Sequence, residues 1–221
     1  MKTIILTGFE PFGGETTNPA YEAVKLVPEI ILDTKIIKLE IPVVFNKGVD
    51  KIVDELEKLG KTGENEVMAV LSVGQAGNRS CMTIEKIGIN LAEARIPDNE
   101  GNQPLDTPIK EDGETAYFTT LPIKAMVENM KKNNIPAHLS YTAGTYVCND
   151  VLYQMLYQTS KNYKDIRAGF IHVPFSEMQV LDKANGTPFM SIEMIAKGLE
   201  YGIEAIINNN EDISIAGGET H

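Results

Sequence analysis

Lys2-Thr3-Ile4-Ile5-Leu6-Thr7-Gly8-Phe9-Glu10-Pro11-Phe12-Gly13-Gly14 opens with a nearly unbroken β-branched and apolar run, then breaks into glycine, proline and aromatics. A half-exposed strand would alternate polar and apolar residues. Residues 2–7 do not, which is the pattern of a strand buried on both faces of a parallel sheet. Parallel pairing requires a crossover connection, and the chain supplies a helix for it. Asn18 offers a capping oxygen, Pro19 suits the first helical position, and Ala20, Ala23, Val24 and Val27 recur at helical spacing before Pro28.

The same alternation of elements runs outward from this start. Residues 34–43 predict a strand in which Ile37, Leu39 and Ile41 alternate. Val49, Ile52, Val53, Leu56 and Leu59 form the apolar stripe of a helix that Gly60 should end. Residues 67–73 are a second β-branched run, closing on Gly74-Gln75-Ala76-Gly77, and residues 84–91 alternate through Ile87, Ile89 and Leu91. Residues 94–121 carry Pro97, Gly101, Pro104, Pro108 and Gly113, too long a stretch for a plain connector, and read as a functional excursion. Pro122 opens a helix faced by Ile123, Met126, Val127 and Met130. A strand at 137–143, a helix at 149–157, a strand at 168–173 and a helix at 191–207 striped by Ile192, Ile195, Leu199 and Ile203 complete the order. Strands alternating with helices imply an α/β fold, a mostly parallel central sheet covered by helices.

Size and charge narrow the function. At 221 residues the chain suits one domain, read here as residues 1–208, with a tail at 209–221 expected to be loosely ordered. Its 20 basic against 31 acidic side chains give a net charge of −11, which argues against nucleic acid and anionic lipid as partners. The apolar runs fall short of the ~20 residues a membrane helix requires, and the N-terminal run is too short for an export signal, so a cytoplasmic protein is expected. Cys81 and Cys148 lack close-spaced Cys or His partners, so neither a metal site nor a disulfide framework is expected, and no cofactor is indicated.

In parallel α/β folds the active crevice lies beyond the carboxyl ends of the strands. Cys148, in Gly144-Thr145-Tyr146-Val147-Cys148-Asn149-Asp150, falls between a predicted strand and a predicted helix. There, unpaired N–H groups and the helix dipole should lower a thiol's pKa and could hold an oxyanion; the alternative is a buried, inert cysteine. His172 ends another predicted strand and is either a general base or a satisfied core histidine, whereas His138 stands at the wrong end of its strand and His221 is the last residue. Glu85 is a candidate to orient the imidazole, or else an outward glutamate paired with Lys86 or Arg79. Phe9 and Phe12 either wall a small pocket or pack as core. The loop that carries them lacks the Gly-Lys-Ser/Thr ending of a phosphate-binding loop.

Four blocks resemble the type I pyroglutamyl peptidases, or pyrrolidone-carboxylate peptidases: residues 7–14 with Asn18-Pro19, residues 84–99, Gly144 to Asn149, and Ile171-His172-Val173-Pro174. The likeness spans about residues 1–208, in order. It implies a three-layer α/β/α sandwich of the phosphorylase/hydrolase kind and a metal-free cysteine peptidase that removes N-terminal pyroglutamyl residues from peptides. It further implies a Cys148, His172 and Glu85 triad acting through an acyl-enzyme, in a homotetramer. By the same resemblance Phe9 and Phe12 would flank the pyrrolidone ring, with Gln75, Ile96, Tyr146 and Val147 at the pocket. Lys86, Gly88 and Glu93 depart from the family pattern, outside that triad. The rival expectations are a nucleoside phosphorylase-like glycosyl transferase, since fold does not fix function, and a non-catalytic small-ligand binding module.

Overall fold

A computed structural model describes residues 1–63 and 66–217. Strands β1 (Lys2–Phe9), β2 (Ile30–Ile31), β3 (Thr34–Ile41), β4 (Glu66–Gln75), β5 (Met82–Glu85), β8 (Ala137–Ser140) and β9 (Arg167–Val173) form one sheet in the order β2-β3-β1-β4-β9-β5-β8. The pairs β3–β1, β1–β4, β4–β9 and β5–β8 are parallel; β2 and the β5–β9 pair are antiparallel. Helices α1 (Pro19–Leu26), α3 (Ile123–Lys132) and α5 (Ile192–Asn208) cover one face, α2 (Lys47–Thr62) and α4 (Val147–Lys161) the other. The architecture is the mostly parallel three-layer α/β/α sandwich that the sequence implies.

The non-alternating runs are explained by this burial. Ile4 and Leu6 of β1 pack under α1 and α5, while Ile5 and Phe9 pack under α2 and α4, because successive side chains leave a strand on opposite faces. Ala69, Leu71 and Val73 of β4 likewise oppose Val70, and Ile171 and Val173 of β9 oppose Ala168 and Phe170. The caps follow their chemistry: Asn18 Oδ1 accepts from Ala20 N at 3.1 Å, and Ser191 accepts from Met194 N at 3.2 Å.

Several boundaries differ from the sequence reading, each for a local reason. The helix expected to stop at Gly60 continues through it and ends where Gly63 takes a left-handed φ of 64°. The strand expected over 84–91 is two strands. After Glu85 the chain leaves the main sheet, and β6 (Ile87–Ile89) pairs antiparallel with β7 (Ala116–Phe118), a strand inside the excursion. The excursion therefore has its own ladder, extended by the Ala92–Thr107 bridge. α4 begins at Val147 and runs to Lys161, enclosing the predicted 149–157. Residues 209–217 lie against α3 and β8. Asp212 accepts from Lys124 N and Ala125 N at 3.0 Å each, and Tyr141 Oη donates to Gly217 O at 2.8 Å. Residues 218–221 of the tail, His221 among them, fall outside the described residues.

Candidate active site

The carboxyl ends of β1, β4 and β9 meet the amino end of α4, with β5 running antiparallel beside β9, and Cys148, His172 and Glu85 converge there. On β9, Ala168, Phe170 and His172 share one face by strand alternation, and the first two pack on the α2 and α4 side, so His172 faces α4. Thr83 of β5 stands opposite His172 in the antiparallel register, and Glu85 follows on the same face two residues on. Glu85 Oε1 lies 2.7 Å from His172 Nδ1, with Glu85 fully buried and His172 4% exposed. A carboxylate only accepts, so Nδ1 carries the proton and Nε2 keeps its lone pair.

Cys148 is the second residue of α4, beside the helix's unpaired first-turn N–H groups. Its sulfur rests over β4: a Cβ built on Gly74 would come within 2.9 Å of Sγ and 2.8 Å of Phe170 Cζ. Gly74 pairs in register with His172, so thiol and imidazole sit over neighbouring strands. Asn149 fixes this turn of α4 by accepting from Ile89 N and donating to Ile89 O and Leu91 O, all within 3.0 Å.

Electrostatics define the resting state. Burial pushes the Cys148 thiol up to about 12, the Glu85 charge adds to that, and Arg79 opposes it. The helix terminus alone predicts a lowered thiol pKa; burial outweighs the dipole. Burial also lowers the His172 pKa, against the pull of Glu85, and Arg79 lowers it further. Burial resists ionisation of Glu85, but the hydrogen bonds from His172 and Arg79, with Ser140 nearby, outweigh it and hold its pKa below the ordinary value. The site therefore rests as neutral thiol, neutral imidazole and carboxylate.

Arg79 is a participant the sequence offered only as the bland partner of Glu85. Its Nη1 donates to Glu85 Oε1 at 2.8 Å and touches Thr83 Oγ1, so Glu85 has both the imidazole and the guanidinium as partners. No spacing motif marks Arg79, because it reaches Glu85 across the turn that joins β4 and β5.

Beside Cys148 lies a narrow cleft of ≈ 40 Å³, walled by Phe9, Phe12, Tyr146 and Val147 and closed by Gln75, Val43 and Asn18. That is far below the usual size of a ligand site, so only a small, flat group fits between the aromatic walls. Phe9 serves as both core and wall, 2% exposed and 6.2 Å from the Phe170 ring, while Phe12 faces Tyr146 at 6.4 Å. Ile96 is not among the walls and is 45% exposed, on the excursion whose Pro97 O accepts from Tyr146 Oη. Asn18 and Val43 were read as cap and strand end only; nothing local in sequence marks them as walls. The excursion's tip ties down the aromatic loop, with Asn99 donating to Glu10 Oε1 at 2.8 Å and Pro11 O at 2.9 Å. Asp98 accepts from Phe45 N, Glu100 N and Asn102 beneath it.

A buried carboxylate–imidazole pair on the sheet face that also carries a helix-terminal thiol, beside a small aromatic pocket, has the composition of a cysteine-type hydrolase site on an α/β sandwich. The model of the pyroglutamyl peptidase family matches residues 2–209. A pyrrolidone-carboxylate peptidase of Clostridium perfringens is 55% identical over 215 residues, covering 97% of this chain and 98% of that protein. The crystal structure of pyroglutamyl peptidase I from Bacillus amyloliquefaciens is similar at a TM-score of 0.87 and 42% identity, over 96% of this chain and all of that one. The pyrrolidone carboxyl peptidase from Thermococcus litoralis gives 0.90 at 35% identity, over 98% and 100%. The chain belongs to the pyroglutamyl peptidase family, and these relatives do not favour the phosphorylase-like or binding-module alternatives.

Proposed function

We propose that the protein hydrolyses the bond after an N-terminal pyroglutamyl residue, with Cys148 as nucleophile, His172 as general base and acid, and Glu85 orienting the imidazole. The carrying observation is the buried 2.7 Å Glu85–His172 pair on the sheet face that also carries Cys148. His172 Nε2 takes the thiol proton as Sγ attacks the pyroglutamyl carbonyl, and imidazolium then protonates the departing amine. Water activated by the same nitrogen cleaves the acyl-enzyme and regenerates the thiol. In this reading the developing oxyanion is received by first-turn N–H groups of α4, beside which Cys148 stands. With the thiol pKa raised, His172 takes the role of base at the moment of attack, in place of a standing thiolate.

The pocket explains selectivity. A lactam is flat and uncharged, so Phe9, Phe12 and Tyr146 can cover it without a counter-ion, whereas a free N-terminal ammonium would lose its hydration there. Both cysteines are free thiols, which fits action in the reducing cytoplasm. Exposed Met178, Leu181 and Phe189 give an apolar surface that fits assembly into a homotetramer. Among the described residues no helix is long and apolar enough to cross a membrane.

The test is release of a fluorogenic amine from its pyroglutamyl, prolyl and alanyl derivatives under reducing conditions, with EDTA in one arm and iodoacetamide in another. The expected result is turnover of the pyroglutamyl compound alone, insensitive to EDTA and abolished by alkylation. Turnover that survives full alkylation of Cys148 overturns the nucleophile assignment.

A further inference from the structure

We infer that Gln179 is a specificity-determining positioning residue: through one hydrogen bond it fixes which end of the Gln75 amide faces the pocket, making that end a donor for the lactam carbonyl. The inference rests on the pyroglutamyl reading of the site. It follows from donor and acceptor logic. Ser176 N is a backbone donor, and it meets the Gln179 side chain at 3.0 Å, so the atom it meets must be Oε1. The other end of the Gln179 amide is then Nε2, a donor only, and it meets Gln75 at 2.9 Å, so the Gln75 atom there must be Oε1. Reversing either amide would set N–H against N–H or C=O against C=O.

Both Gln179 and Ser176 are buried, at 7% and 4% exposed, so the relay is shielded from water that could satisfy a reversed amide. With Oε1 of Gln75 engaged, its Nε2 is the end left for the cleft that Gln75 lines at the carboxyl end of β4. The segment 174–190 that carries Gln179 is itself anchored. Lys183 pairs with Glu15 at 2.7 Å, and Phe175 lies on Gly77, where a Cβ would come within 2.3 Å of its ring. Pyroglutamate offers a carbonyl acceptor on its ring where proline offers none, so a fixed donor there discriminates between two rings of nearly the same shape.

Gln179→Glu tests this directly. The introduced carboxylate still accepts from Ser176 N but can no longer donate, so the Gln75 amide turns, gives its NH2 to that carboxylate and presents its oxygen to the lactam oxygen. The expected outcome is a fall of about 10- to 100-fold in kcat/KM on the pyroglutamyl substrate. The fall is carried by KM, the pyroglutamyl-to-prolyl ratio falls with it, and the rate of Cys148 alkylation is unchanged. Gln179→Met, which releases the amide without reversing it, gives a smaller loss with the same signature and stands as the test should the first variant not fold. In a Gln75→Ala background both substitutions should have no further effect on KM. An unchanged KM in the single variants, or an equal penalty with and without Gln75, overturns the relay. A wild-type enzyme that does not turn over the pyroglutamyl substrate overturns the underlying functional reading instead.

Discussion

Glu85 is a fully buried carboxylate with two cationic or potentially cationic neighbours, and the balance between them tunes His172, the proposed base. Glu85→Gln replaces the acceptor by an amide that can present its NH2 to Nδ1, favouring the wrong tautomer. kcat should fall by roughly 10³-fold with little change in KM, measured on the pyroglutamyl amide. A variant of normal kcat would remove Glu85 from the mechanism. Arg79 acts with the opposite sign: its charge lowers the His172 pKa, so removing it raises that pKa. In Arg79→Gln the acid limb of kcat/KM, which reports the free enzyme's imidazole, should move to higher pH; a limb that stays put or moves down contradicts the assignment. Of these groups the local patterns offered Cys148, His172 and Glu85 only as candidates, each beside an inert alternative, and it is the resemblance to the pyroglutamyl peptidases that joins them into one triad. The sequence could not weigh burial against the helix dipole at Cys148, and it left Arg79 as a surface alternative, because both depend on what packs over the site from elsewhere in the chain.

α4 and β4 approach so closely at the sulfur that their contact tolerates no side chain. Adding a methyl in Gly74→Ala would place it 2.9 Å from Cys148 Sγ and 2.8 Å from Phe170 Cζ, below any normal carbon contact. The ring is held at 4.8 Å from His172, so relief must come by moving either the Cys148 sulfur or the imidazole's neighbour. Gly74→Ala should therefore lose at least about 10²-fold in kcat/KM while remaining folded, since sub-ångström misplacement of reacting groups is costly. Near-wild-type turnover, with unchanged iodoacetamide reactivity, would show that the contact relaxes harmlessly. At this scale the sequence reads well where period and caps agree, as for β1, β4, α1 and α5. It reads poorly at 84–91, where the alternation of Ile87, Ile89 and Leu91 is out of phase with Ile84 and the slip falls at Glu85-Lys86, the exit from the main sheet into the β6–β7 ladder. Alternation reports that a segment is extended; it does not report which sheet the segment joins.

For the whole molecule, acid and neutral pH place opposing demands on the buried groups. His172 and Glu85, both with pKa values below their ordinary ones, stabilise the fold at higher pH and lose that contribution as pH falls through their folded values. Asp150, two residues beyond Cys148, has the other sign. Burial pushes its pKa up to about 6, against hydrogen bonds from Asn46 N and Gln154 Nε2 and the charge of Lys110, with Asp50 adding to the rise. Its contribution is fully present below its unfolded value near 3.8 and is lost as pH rises through about 6, a swing of about 3 kcal/mol between those limits. The carboxylate is retained at that cost because it joins α4 to the turn before α2, where Asn46 holds a φ of 66° and Gln154 bridges both side chains. Asp150→Asn cannot ionise, so it carries a constant offset from its altered hydrogen bonds but none of the pH-dependent penalty. Urea unfolding of both proteins between pH 4 and 7 should show the variant gaining on wild type as pH rises, by up to about 3 kcal/mol. A difference that stays flat across that window would mean that Asp150 titrates as an ordinary carboxylate, and that the joint between α4 and the turn before α2 holds without strain at neutral pH.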